Sequence, residues 1–220
     1  MKKDDLGEQC LLCNIANNEI EDIHEYDRPI YNSSNFSIIP AKGQFVSGYL
    51  LLFPHRHFLN LGVMDSVLLD EYFKIKNSLN QTLLDEYGQR PIFFEHGSAS
   101  CETRGGSCID HAHLHVLPIT ISKVTDGMFA NIDGGRIQTI NTMIDYAKSE
   151  KPYFYFETSD GSMYLYNATS IPSQFGRKMI TRLLGIPDQW DWEVYPYIDR
   201  MLETQGRLHA RFKQDINIIK

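Results

Sequence analysis

The sequence predicts an α+β fold: an antiparallel sheet of about five strands, one covering helix, and a C-terminal extension that adds a hairpin and helices. Three observations carry this. A strictly alternating strand runs through Asp110-His111-Ala112-His113-Leu114-His115-Val116-Leu117-Pro118, an amphipathic helix fills Asp65 to Tyr87, and two aromatic-rich runs flank a turn between Tyr153 and Tyr166.

Composition bounds the answer. The chain has 220 residues, 42% hydrophobic and 22% charged, which is enough for one domain with a sizeable core plus an extension. Lys and Arg number 21 against 28 Asp and Glu, a formal charge of −7, so no general attraction to nucleic acid or to an anionic membrane is expected. A local basic pocket is compatible with this balance. Met1-Lys2-Lys3-Asp4-Asp5 opens without an apolar signal core, and no uninterrupted apolar stretch reaches membrane-spanning length; the expectation is a cytoplasmic protein. In that compartment Cys10, Cys13, Cys101 and Cys108 are thiols or ligands rather than disulfides.

Taken in order, Cys10-Leu11-Leu12-Cys13 has zinc-ligand spacing, which redox motifs and chance share. The redox reading wants a βαβ context that the polar Asn14 to Glu21 segment does not suggest. Phe36 to Ile39 and Tyr49 to Phe53 read as a hairpin-like strand pair, punctuated by Pro40-Ala41-Lys42-Gly43 and Ser47-Gly48. In the helix, Leu68, Tyr72, Ile75, Leu79 and Leu83 recur at i+3 or i+4, Asp65 or Ser66 caps the start and Gly88 the end. Its apolar stripe is core that covers one face of the sheet.

Pro91-Ile92-Phe93-Phe94-Glu95-His96-Gly97 reads as a buried strand ending at a functional loop. His96, at the end of the strand expected beside the alternating histidine strand, is a candidate pocket residue, with an idle loop histidine as the alternative. The segment Ser98 to Ser107 is polar and glycine-rich and leads through Arg104-Gly105-Gly106-Ser107-Cys108 into the alternating strand. Glycines there let backbone N–H groups approach an anion, and Arg104 would add charge. A plain surface loop is the competing reading.

Alternation places His111, His113 and His115 on one face and Ala112, Leu114 and Val116 on the other. Three of the eight histidines in strict alternation are a poor match to an ordinary solvated strand face. A metal held by all three fails on distance: at about 3.3 Å per residue the outer backbones lie roughly 13 Å apart, while each nitrogen must come within about 2.1 Å of the ion. Two neighbours are able to share an ion. A neutral imidazole, with an ordinary pKa of about 6.5, is instead a nucleophile available at pH 7, so the middle histidine can attack phosphorus while its neighbours donate to phosphate oxygens or the leaving group.

The run His111-Ala112-His113-Leu114-His115-Val116-Leu117-Pro118 resembles the His-x-His-x-His-x-x signature of the histidine triad nucleotide hydrolases and transferases. The resemblance extends from about Cys10 to Pro118. It implies a histidine triad-like catalytic domain over residues 1–120, with residues 121–220 as an extension packed on the same unit. It implies that His113 is the nucleophile, that His115 binds phosphate oxygens and helps move a proton to the leaving group, and that His111 orients His113 or holds zinc. Gly106, Ser107 and Cys108 fill the Gly-x-Ser/Thr step that borders the phosphate, with Cys108 where a hydroxyl usually stands. That exchange weakens a hydrogen bond to the leaving group.

Relatives that share the N-terminal Cys-x-x-Cys complete a structural zinc site with a histidine after a Pro-x-x step and with the first triad histidine; here these are Cys10, Cys13, His57 and His111, with unligated thiols as the alternative. No cofactor is required for the chemistry itself. The acid that grips ribose hydroxyls in the family has no counterpart in Ile39-Pro40-Ala41-Lys42. Shorter relatives are homodimers, so a homodimer is expected.

Beyond Pro118 the sequence predicts a helix over Ile137 to Ser149, the Tyr153–Tyr166 hairpin around Ser159-Asp160-Gly161-Ser162, and helices over about 173–184 and 197–212. Ile171-Pro172-Ser173-Gln174-Phe175-Gly176-Arg177 and Trp190-Asp191-Trp192 resemble the tail of longer histidine triad relatives. Gln174 and Arg177 fall on one helical face at i and i+3, within joint reach of a phosphate or base, or are merely solvated residues at a helix start. The two tryptophans read as packing residues.

The expected function is hydrolysis or nucleotidyl transfer at the α-phosphate of a phosphoramidate or phosphoanhydride, through a nucleotidyl-histidine intermediate. The partner is a nucleotide or nucleotide conjugate, without a membrane. Two alternatives stand beside it: a non-catalytic nucleotide- or RNA-binding module, and a zinc-stabilised interaction protein.

Overall fold

A computed structural model describes residues 10–20, 23–99, 111–125 and 127–219. Strands β1 (Tyr31–Asn32), β2 (Phe36–Pro40), β3 (Leu50–Pro54), β4 (Ile92–Gly97) and β5 (Leu114–Leu117) pair antiparallel in the spatial order β1-β2-β3-β5-β4. These are the expected five. The sheet does not stop there: β7 (Tyr153–Glu157) pairs with β4, and β8 (Met163–Asn167) and β6 (Gly134–Ile137) follow, giving eight strands in one sheet. The C-terminal hairpin therefore continues the same sheet. Without β7, β4 would be an apolar edge with open backbone groups. Every residue of β7 is buried, the pattern of a strand covered on both faces.

Side-chain alternation splits the core in two. On one face Ile38, Leu50, Leu52, Phe93, Leu114 and Val116 pack beneath α2 (Ser66–Tyr87). Helix α2 starts where the Asp65 carboxylate accepts from the Leu68 N–H at 3.0 Å and ends at Gly88, whose φ of 71° suits a residue without Cβ. Met143 and Ala147 of α3 (Asn141–Ala147), and Leu208 and Phe212 of α5 (Ile198–Ile219), join the same face. On the other face Ile39, Leu51, Phe53, Phe94, Phe154 and Phe156 are covered by α1 (Leu11–Ala16) and α4 (Phe175–Leu183). The candidate site opens between those two helices. No helix among the described residues is long and apolar enough to cross a membrane.

The α2 face also buries charge. Lys76 forms an ion pair with Glu157, which the Tyr155 hydroxyl also reaches, and Glu95 accepts from the Tyr153 hydroxyl and from the Leu61 N–H at 2.8 Å. Burial pushes the Glu95 carboxyl up to about 8, against the pull of those two donors. A raised carboxyl pKa means the folded state retains a proton that the unfolded chain releases. The associated stability is full below about pH 4.5 and is lost as pH rises through about 8. Glu95→Gln cannot ionise, so its melting temperature relative to wild type should climb between pH 5 and pH 8 by the equivalent of a few kcal/mol. A difference that stays flat in paired thermal scans across that range would refute the assignment.

Candidate active site and metal centre

Segment 111–113 is extended but has left the β3–β5–β4 ladder. The Ala112 N–H donates to the Phe58 carbonyl at 2.7 Å, and His111 Nε2 to the Pro54 carbonyl at 2.8 Å. The regular strand begins at Leu114, so only the last of the three histidines lies within it. Alternation still holds: Ala112, Leu114 and Val116 enter the α2-side core, while His113 and His115 line a cavity on the opposite face.

His111 turns to a different neighbourhood. Cys10 Sγ lies 3.3 Å from His111 Nδ1, Cys13 Sγ lies 3.4 Å from the same nitrogen and 3.3 Å from His57 Nδ1, and the four ligand atoms all fall within 4.8 Å of one another. A tetrahedral ion with bonds of about 2.1 Å to nitrogen and 2.3 Å to sulfur sets N···S edges of about 3.5 Å, close to these spacings. Donation from His111 Nε2 to Pro54 leaves Nδ1 with its lone pair toward the sulfurs, the orientation a ligand needs. Burial, then the negative charge of Cys10, raises the Cys13 thiol, and a cation between the two sulfurs would favour ionising both. The four side chains form a zinc-type structural site. It is closed, with four ligands and no open position for substrate.

His113 is held otherwise. Its Nδ1–H donates to the His111 carbonyl at 2.6 Å, which leaves Nε2 as the lone pair. Burial is the main force holding its imidazole down, to about 4, so it is neutral at pH 7. The His115 ring stacks on Phe94, with centroids 4.2 Å apart and planes 13° from parallel, and its Nδ1 meets the Tyr49 hydroxyl at 2.5 Å. Burial, then the charges of His113 and Arg177, keeps His115 well below the usual histidine range. The two rings are 4.8 Å apart.

The cavity encloses about 300 Å³, at the small end of small-molecule sites. His96 and Gln174 line it beside His113 and His115. His96 Nε2 is buried without a partner among the described residues, and burial followed by the charge of His113 holds its imidazole down to about 4. Gln174 precedes α4 in a left-handed conformation, φ 61°, so it does not share a helical face with Arg177 as the i, i+3 spacing suggested, yet both residues line the cavity. Arg177 is buried, and its guanidinium donates to three backbone carbonyls, of Trp190 (2.7 Å), Lys42 (2.9 Å) and Gly43 (3.0 Å). Arg104, Gly106, Ser107 and Cys108 lie outside the described residues.

Two residues in this region escaped the sequence reading. Asp27, from a short 3-10 turn, enters the cavity wall and pairs with Lys42 at 3.3 Å, so the missing acid of segment 39–42 has a carboxylate neighbour from elsewhere in the chain. Tyr49 reads as one more strand aromatic, and its tie to His115 spans 66 residues. No local pattern announces either contact.

The antiparallel sheet thus carries a three-histidine segment that gives its first member to a metal cluster and its other two to one cavity, the arrangement the sequence resemblance implies. No family model matches the chain. It is similar to zinc finger CCCH domain-containing protein 64 of Arabidopsis thaliana, 28% identical over 168 residues that cover 69% of this chain and 27% of that protein. The chain thus spans little more than a quarter of that relative. Among solved structures it is similar to a Hit-like protein of Bartonella henselae, described as involved in cell-cycle regulation, with 16% identity, 65% of this chain and 94% of that one covered, and a TM-score of 0.42. It is also similar to a zinc-bound histidine triad family protein of Mycobacterium smegmatis, with 16% identity, 66% and 94% covered, and a TM-score of 0.41.

Proposed function

We propose that the chain is a nucleotide hydrolase or nucleotidyl transferase that cleaves a phosphoramidate or phosphoanhydride at the α-phosphorus. The observation that carries this is the anchoring of His113 Nδ1–H on the His111 carbonyl, which presents a neutral Nε2 lone pair at the cavity. Nε2 forms a bond to the α-phosphorus while the bond from phosphorus to the leaving nitrogen or oxygen breaks. His115 binds the non-bridging oxygens and helps a proton reach the leaving group. Water or a second acceptor then attacks the same phosphorus, and His113 leaves with its original lone pair. His111 acts through its carbonyl and as a zinc ligand, not as an acid or base. Asp27 offers sugar hydroxyls a carboxylate acceptor, and Gln174 and Lys42 supply polar groups on the same wall.

Intact-protein mass spectrometry after acid-free quenching tests the mechanism. Wild type and His113→Ala are each exposed to adenosine and guanosine phosphoramidates and to dinucleoside polyphosphates. A nucleotide-sized mass gain on wild type alone is expected. Binding with neither adduct nor product across the panel would overturn the proposal in favour of a non-catalytic binding module.

A further inference from the structure

We propose that Tyr49 and Arg177 together hold His115 with its proton on Nε2, facing the cavity, so that His113 and His115 stand side by side as opposite tautomers. One offers phosphorus a lone pair, and the other offers a phosphate oxygen a proton donor. The inference rests on the reading of this cavity as a site of phosphorus chemistry and names how its second histidine is set.

Two adjacent imidazoles are useful to a phosphoryl group only if their facing nitrogens differ. For His113 the difference is fixed by a backbone carbonyl, which only accepts, so Nδ1 carries the proton. For His115 the partner at Nδ1 is a phenol, which can donate or accept, and the outcome depends on what else the phenol meets. It meets a cation. The Arg177 guanidinium lies 5.4 Å from the centre of the Tyr49 ring and 5.0 Å from that of Phe45, and its charge acts on the Tyr49 hydroxyl and on His115. An oxygen facing a fixed cation turns lone pairs toward it and its O–H dipole away. The O–H then points at His115 Nδ1, Nδ1 accepts, and the proton of the neutral ring sits on Nε2. The same cation opposes a second positive charge on His115.

The cation cannot move aside. Three carbonyls from two segments, Lys42-Gly43 and Trp190, hold the guanidinium, and its seat is shaped around a missing side chain: a Cβ on Gly43, where φ is +69°, would lie 2.3 Å from an Arg177 terminal nitrogen and 2.7 Å from Trp192 Cβ. Tyr49 is fully buried with Phe45 edge-on at 5.2 Å, and Phe94 stacks flat on His115, so neither ring is free to swing to another partner. Arg177 belongs to α4, in the C-terminal half of the chain. A side chain more than sixty residues beyond the triad thereby sets its protonation pattern.

Tyr49, which does not line the cavity, is a positioning residue acting on substrate through His115; Arg177 also lines the cavity, so its exchanges are read by the tautomer of His115 and not by turnover. The test is long-range proton–nitrogen NMR on full-length, zinc-loaded protein labelled at the histidine ring nitrogens, with His113 and His115 assigned by single His→Gln variants. Wild type should show His113 protonated at Nδ1 and His115 at Nε2. Tyr49→Phe, which removes one oxygen and keeps the ring packing, should convert His115 to a mixture of tautomers without changing His113. Its kcat should fall about tenfold, the effect of losing one oriented hydrogen bond, with KM within about twofold. Arg177→Lys should hold the tautomer better than Arg177→Met. Wild-type His115 protonated at Nδ1, or a tautomer unmoved in Tyr49→Phe, would overturn the inference even if the His113 adduct forms. Absence of that adduct would refute the catalytic reading and leave the tautomer result readable by itself.

Discussion

His113→Ala is expected to lower turnover by about 10⁴-fold or more and to abolish the nucleotidyl adduct, with the protein still folded. A positioned nucleophile splits one difficult displacement into two easier ones, and no neighbouring group replaces it once removed. His96 shares the cavity wall and His115 lies beside it, but His115 Nδ1 is committed to Tyr49, and its flat stack on Phe94 fixes the ring plane. His115→Ala should therefore cost less, about 10²- to 10⁴-fold, the usual range for a proton-transfer or donor group. Stability should separate from activity. His113 contributes a hydrogen bond to the His111 carbonyl worth about 1 kcal/mol, a melting shift of a few degrees in a chain of this size. Steady-state turnover of His113→Ala within tenfold of wild type would end the covalent mechanism.

The parts of this site that were legible in sequence are those with a local period. His111, His113 and His115 announce themselves by alternation, and α2 by its apolar repeat between an aspartate and a glycine; the helix runs Ser66–Tyr87 with both caps as expected. The hairpin around Ser159-Asp160-Gly161-Ser162 forms as its turn residues predict. What was not legible depends on partners distant in the chain. Strand β7 finds β4 across more than fifty residues, so that the hairpin of the extension joins the central sheet is a pairing no local period announces. Strand β6, with Gly134-Gly135-Arg136-Ile137, has too little β character to be seen without its partner β8. Arg177 offers a plain case of chemistry read without context. Its i, i+3 spacing from Gln174 suggests a phosphate or base ligand or a solvated helix start; it is buried in the cavity wall, its hydrogen bonds go to three carbonyls, and its charge falls on Tyr49 and His115, partners no spacing announces.

Cys13→Ser should produce the largest loss of stability of any single exchange at the site: zinc content falling from about one per chain toward none, and a melting temperature lower by roughly 10 °C. The four ligands tie α1 to the Pro54–His57 turn and to the start of the triad segment, with sequence separations of 44, 98 and 101 residues. A metal that closes such long loops binds the folded chain and not the unfolded one, so its binding free energy adds directly to stability. The extensive sheet core makes the loss partial, unlike that of a small zinc finger. A strong chelator should lower the wild-type melting temperature by a similar amount and leave Cys13→Ser almost unmoved, because both treatments remove the same ion. Chelation that shifts both proteins equally, or zinc-loaded wild type with no bound metal by mass spectrometry, would refute the site. The loss should also reach the chemistry. His111 is at once a zinc ligand and the residue whose carbonyl anchors the His113 proton, so freeing its side chain loosens the nucleophile's tautomer and aim. Turnover should fall on chelation about tenfold and return when zinc is restored, although the ion touches no substrate.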